Sequence, residues 1–243
     1  ELLPEEILSR KIEEYQWTKE KMNFWIDKLS DKHKLYDYSD MEFNEVRTEP
    51  IPIVMVCAAG PGIIPLLKER LKNDDPERRL SLARALAWYR QKEASPVLIE
   101  YIMPYFEYNE LPPRTSFIRH VNPPPDQGAM PDLAYLLYTL AMCRDERSVS
   151  IIAKVQSKLK PSHEKFIDEK HGLFYYVDSI CEIANRLMDP ACIPVLRKLH
   201  DDPLFNNKVF CGVMQPDFFE ERMAYLEIVI ARSMVRCGDE EGI

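Results

Sequence analysis

Ile51-Pro52-Ile53-Val54-Met55-Val56-Cys57-Ala58-Ala59-Gly60-Pro61-Gly62 is the stretch on which the fold turns. An apolar run closing on Gly-x-Gly is how a buried strand enters the phosphate loop of a dinucleotide site, and it is equally how an apolar helix ends. The dinucleotide fingerprint fails at its third glycine, where Pro65 stands, and neither a second strand nor a suitably placed acidic residue follows. Asp74-Asp75-Pro76 and another helical pattern come instead. Val54 to Ala59 overlays Ala85 to Arg90 at an offset of 31, so the stretch reads as the second helix of a paired-helix unit, with a buried parallel strand as the alternative.

Working outward, the turn after this run begins a phrase that recurs with drift. It reads Ile64-Pro65-Leu66-Leu67, Ser95-Pro96-Val97-Leu98, Val149-Ser150-Ile151-Ile152 and Ile193-Pro194-Val195-Leu196. Five residues before each Pro/Ser position stand Gly60, Gln91, Asp145 and Asp189, and Cys237-Gly238-Asp239 begins the phrase again. A unit recurring every 31 to 54 residues with two helical patterns inside it predicts an all-α fold, an α-α superhelix in which no repeat buries its apolar face alone. The expected organisation is an N-terminal helical cap and connection over residues 1–49, with one amphipathic helix over residues 5–29, followed by the repeat array over residues 50–243 as one continuous body.

The clearest unit pairs a helix over Ile63 to Leu71 with a helix over Glu77 to Tyr89, joined by a turn with an aspartate N-cap and Pro76 at the first helical position. Second helices recur over Leu133 to Cys143, Phe174 to Met188 and Phe219 to Cys237. Equivalent positions lie 31, then 54, then 44 residues apart. The excess forms insertions over residues 104–130, 160–172 and 201–217, long insertions between paired helices that a stacked array brings out along one edge.

Composition narrows the function. The 243 residues carry a net charge of −8, with both signs mixed and no dense basic stripe, which argues against nucleic acid. No apolar run approaches the length of a membrane span. Only 7 glycines occur, which disfavours folds built on phosphate loops. Six scattered cysteines without a CxxC pair do not make a zinc site, and they read as buried free thiols, with a disulfide through Cys211 as the alternative. That favours a reduced, cytoplasmic setting, while a chain opening on Glu1 leaves an exported mature form open.

Leu187-Met188-Asp189-Pro190-Ala191-Cys192-Ile193-Pro194-Val195-Leu196, with Leu71-Lys72-Asn73-Asp74-Asp75-Pro76-Glu77-Arg78, resembles the HEAT repeats of phycobilisome-lyase-like proteins. The resemblance covers residues 50–243 and implies a HEAT-like solenoid. Some HEAT-like enzymes bind two irons through repeated His-Glu pairs. This chain has one such pair, His163-Glu164, which disfavours a metal-dependent hydroxylase.

A second resemblance lies in Pro124-Pro125-Asp126-Gln127-Gly128-Ala129-Met130-Pro131-Asp132-Leu133-Ala134-Tyr135 and His171-Gly172-Leu173-Phe174-Tyr175-Tyr176-Val177-Asp178. These stretches are similar to helical-repeat regions that follow the catalytic part of some bacterial FAD-dependent oxidoreductases. That reading implies an accessory domain whose flavin site lies elsewhere.

No HExxH, Walker A or GxSxG motif is present, so no catalytic residue, cofactor or metal is expected. The expectation is a non-catalytic scaffold that recognises a protein or peptide through its insertion edge. The residues chosen for that edge are His120, Asn122, Asp126, Gln127, His171, Tyr175, Asp178, Gln215 and Asp217.

Overall fold

The computed structural model describes residues 16–30, 51–73, 76–112, 131–159, 173–202 and 216–239. Among these residues there is no strand; ten α-helices, joined by short 3₁₀ turns, account for most of them, so the fold is all-α. Ile51-Pro52-Ile53-Val54 is helical, which removes both the strand and the dinucleotide loop. The chain divides into two compact units, Glu1–Ala85 and Leu86–Ile243.

In the first unit, α1 spans Lys19–Asp27 and α2 spans Ile51–Ala58, and the two pack together. Helix α1 starts where Thr18 turns extended and its hydroxyl accepts the Lys21 N–H at 3.3 Å. The helix expected over residues 5–29 is therefore interrupted at residues 16–18, because a threonine with extended backbone favours capping over continuation. Its earlier part, residues 5–15, lies outside the described residues.

Ile53 and Val56 of α2 are buried and Val54 is half exposed, the helical period that an alternating strand would not give. Gly60 then takes φ +79°, a conformation costly for a side chain, and the chain enters a 3₁₀ turn, Pro61–Ile63, and α3, Ile64–Lys72. Asp27 faces two cations, Arg70 at 3.0 Å and Arg78 at 4.0 Å, while Arg78 Nε also donates to the Leu29 carbonyl at 3.2 Å. Helix α4, Arg79–Trp88, runs across the division between the units.

The second unit alternates shorter and longer helices. They are α5 Ser95–Ile102, α6 Asp132–Cys143, α7 Ser148–Lys158, α8 Leu173–Leu187, α9 Ile193–His200 and α10 Pro216–Arg236. Helices α6, α8 and α10 lie side by side in chain order. Against them pack α5 on α6, α7 on α8 and α9 on α10, and α7 also touches α9. Leu133, Leu136, Leu137 and Leu140 of α6 and Tyr176, Val177, Ile180 and Ile183 of α8 are fully buried, each stabilising the fold by roughly 1.5–3 kcal/mol.

The recurring phrase has a backbone counterpart. Helices α4, α6, α8 and α10 each end in a left-handed residue, Arg90, Arg144, Met188 and Gly238, with φ of 57°, 51°, 53° and 93°. At two of them the next residue closes the helix from outside: Gln91 N–H donates to the Leu86 carbonyl and Asp239 N–H to the Met234 carbonyl, both at 3.0 Å. Such six-to-one bonds satisfy carbonyls that a helix end leaves orphaned. The chain then leaves in extended conformation at Gln91 and Asp189 and begins the next helix through a 3₁₀ turn, Lys92–Ala94 or Pro190–Cys192.

Candidate functional site

Helix α8 carries the two insertion-edge residues whose surroundings are described, Tyr175 and Asp178. The other choices fall differently: His120, Asn122, Asp126, Gln127, His171 and Gln215 lie outside the described residues, and Asp217 stands in the first turn of α10. Three polar contacts tie residues 103–112 to α7 and α8. Lys158, at the end of α7, donates to the Tyr108 carbonyl, and Tyr176 Oη donates to the Pro112 carbonyl at 2.6 Å. The start of the first insertion is thus tied to the helices on either side of the second. Met103–Glu107 joins the same contact, with Lys154 Nζ 3.5 Å from Met103 Sδ and 5.7 Å from the Phe106 ring.

Asp178 is the centre of this region. Its Oδ2 accepts a short bond from Tyr138 Oη of α6, and its Oδ1 accepts from Tyr225 Oη of α10 at 3.0 Å. One carboxylate therefore links three neighbouring helices. Burial raises the Tyr138 phenol far above its ordinary range, and the charge and bond of Asp178 raise it further. The Tyr225 phenol moves the same way, by burial and then by Asp178, against the opposing charge of Arg232. Both phenols keep their protons and act as donors, so neither serves as a nucleophile or base at neutral pH. Among the described residues no cation forms an ion pair with Asp178.

Aromatic rings flank the carboxylate. Phe174 and Tyr225 lie 5.7 Å apart, tilted by 31°, and Phe174 meets Tyr175 edge-on at 5.7 Å. Tyr225 is about half exposed. The result is a partly buried acceptor beside three aromatic rings, of which Tyr225 is the most exposed.

The sequence reading missed Tyr138 and Tyr225, because both sit in helices whose aliphatic pattern marks them as core. The available signal was chemical: a tyrosine among leucines needs a partner for its hydroxyl, and Asp178 is an acid within a largely apolar helix.

Cys143, Cys181, Cys192 and Cys237 are buried free thiols, Cys57 is partly buried, and Cys211 lies outside the described residues. Burial pushes Cys143 up to about 11 and Cys181 up to about 12. The hydrogen bond between Cys192 and Cys237 raises the first thiol, with burial, and lowers the second, and Cys237 also donates to the Ala184 carbonyl at 3.6 Å. Among the described residues no group of three or more His, Cys, Asp or Glu side chains could hold a metal ion, and no single helix is long and apolar enough to cross a membrane. Comparison of the chain with protein-family models, with curated proteins and with solved structures finds no match to any of them.

Proposed function

We propose that this chain is a HEAT-like solenoid that binds a protein or peptide along its insertion edge, with Asp178 as the acceptor for a basic side chain of the partner. The solenoid reading is supported by the pairing of α5, α7 and α9 with α6, α8 and α10, and by left-handed residues at the ends of four helices. The binding reading rests on one observation. Asp178 is held in place by two phenols, is paired with no cation among the described residues, and stands beside a half-exposed aromatic ring.

A lysine or arginine stem covers such a ring while its head reaches the carboxylate. The net charge of −8 draws a basic segment toward the surface and a neutral or acidic one less.

The test is a peptide array sampling basic, neutral and acidic sequences, probed with the wild-type chain and with Asp178→Asn. A charge-assisted hydrogen bond contributes about 1.5–3 kcal/mol, so affinity for the basic peptides should fall by roughly tenfold or more. Thermal unfolding measured in parallel checks that the variant is folded. Equal binding of basic and acidic peptides by the wild type, or no change on substitution in a folded variant, refutes the assignment.

A further inference from the structure

Helix α10 buries Leu226, Val229, Ile230, Ser233, Met234 and Cys237. On the opposite side Ala224, Ile228, Ala231 and Val235 follow one another at spacings of four, three and four, forming an apolar stripe along the helix. Ile228 is 65% exposed and Val235 42%. Flanking the stripe are Glu227 on one side and Arg232 on the other, both exposed, and neither is in an ion pair among the described residues.

The same register in α8 is covered. Counted back from the left-handed residues Met188 and Gly238, Ile228 and Ala231 occupy the positions that Asp178 and Cys181 occupy in α8. There, α10 itself supplies the cover: Tyr225 bonds Asp178, and Ser233 Oγ donates to the Cys181 carbonyl at 3.4 Å. In α10 this face is apolar and bare.

The spacing is that of a two-stranded seam, with β-branched Ile228 and Val235 at one core position and Ala224 and Ala231 at the other. Glu227 and Arg232 then fall on the two flanking positions, five residues apart. In a parallel pair each Glu227 reaches Arg232 of the other copy, giving two ion pairs across the seam. An antiparallel pair instead sets each charge on the same flank as its own copy.

We propose that the chain forms a parallel two-fold dimer through the outward face of α10, with Ile228 and Val235 meeting their counterparts and Glu227 pairing with Arg232 of the second copy. The alanines let the helix axes approach within about 8–10 Å. The seam is short, so the dimer is weak, with Kd in the range of about 10–100 μM. The seam itself includes neither Asp178 nor Tyr225, so its test stands apart from the peptide-binding role.

Sedimentation equilibrium of the whole chain from about 1 μM to 1 mM tests it. The mass should rise from 28.5 kDa toward twice that value across the range. Ile228→Glu, at an exposed position, should remain monomeric throughout. Glu227→Arg and Arg232→Glu should each weaken the dimer by about tenfold, and the two together should restore it to within about threefold. A monomer at every concentration overturns the proposal and leaves the face to another occupant, such as a further helix. A dimer that survives Ile228→Glu overturns it as well, and failure of the double reversal to restore association overturns the parallel pairing.

Discussion

At Asp145 the carboxylate folds back on its own turn, accepting from the Arg147 backbone N–H at 3.0 Å and from the Arg147 guanidinium. At Asp239, which follows the left-handed end of α10 as Asp145 follows that of α6, the carboxylate reaches Arg197 of α9, 42 residues back, through two bonds of 2.7 and 3.0 Å. Both aspartates are almost completely buried. Asp189, at the equivalent place after α8, is less buried and caps the following 3₁₀ turn through the Ala191 N–H at 2.9 Å. One local phrase thus supports three uses, and what separates them is how far along the chain the partner lies. A partner two residues away stabilises a turn; one in another helix stabilises the packing of that helix.

This contrast breaks if the three aspartates prove interchangeable, and it sharpens if their removal is graded. Asp239→Ala should be the most damaging, lowering unfolding free energy by up to about 3 kcal/mol, because it removes a buried carboxylate that accepts two charge-assisted bonds from the half-exposed Arg197 at the junction of α9 and α10. Urea unfolding gives the value, and a loss under about 1 kcal/mol would mean the junction holds without it.

Asp145→Asn should cost about 2 kcal/mol at neutral pH. Its hydrogen bonds and ion pair with Arg147, the bonds first, hold the carboxyl down at about 2, against 3.8 for an ordinary aspartate. A depressed carboxyl stabilises fully above the unfolded value and loses that contribution as pH falls toward the folded one. The wild type should therefore lose stability between about pH 4 and pH 2 more steeply than the variant, a difference readable from thermal melts across that window.

Asp189→Ala should cost about 1 kcal/mol, the usual loss on removing a cap. The smallest effect should come from Met188→Gly, which relieves a left-handed backbone at a half-exposed position. It should stabilise by about 0.5 kcal/mol, while Gly238→Ala, at φ +93° with open space around the added methyl, should destabilise by about 1 kcal/mol. Identical melting temperatures for these two variants would show that the backbone conformation at the turn carries no cost.

Helices were legible in the sequence wherever a turn signal stood next to an apolar period, as in Met188-Asp189-Pro190 leading into Ile193-Pro194-Val195-Leu196. The helical state of Ile51-Pro52-Ile53-Val54 followed from its register with Ala85 to Arg90 rather than from its own residues, since a continuous apolar run carries no period. The failure at residues 16–18 was local. Thr18 sits in a pattern that spaces apolar residues correctly, and only its capping preference marks the break.

Tyr175 and Asp178 stood out in the sequence because they lie next to an insertion, but the Tyr138 and Tyr225 contacts with Asp178 were not legible. Those hydroxyls lie 40 and 47 residues from Asp178 in the chain, and no periodicity reports which helix comes to rest beside which.

Helix α8 is enclosed by α6, α7 and α10, whereas α10 rests on α8 and α9 and turns Ile228 outward. Deuterium should therefore enter the amides of α10 through small openings that leave α8 intact, while the amides of α8 should wait for the whole unit to open. Uptake would then mark a boundary between a half that yields readily and a half that yields last, and anything that comes to lie on α10 would be seen first as a slowing of exchange there.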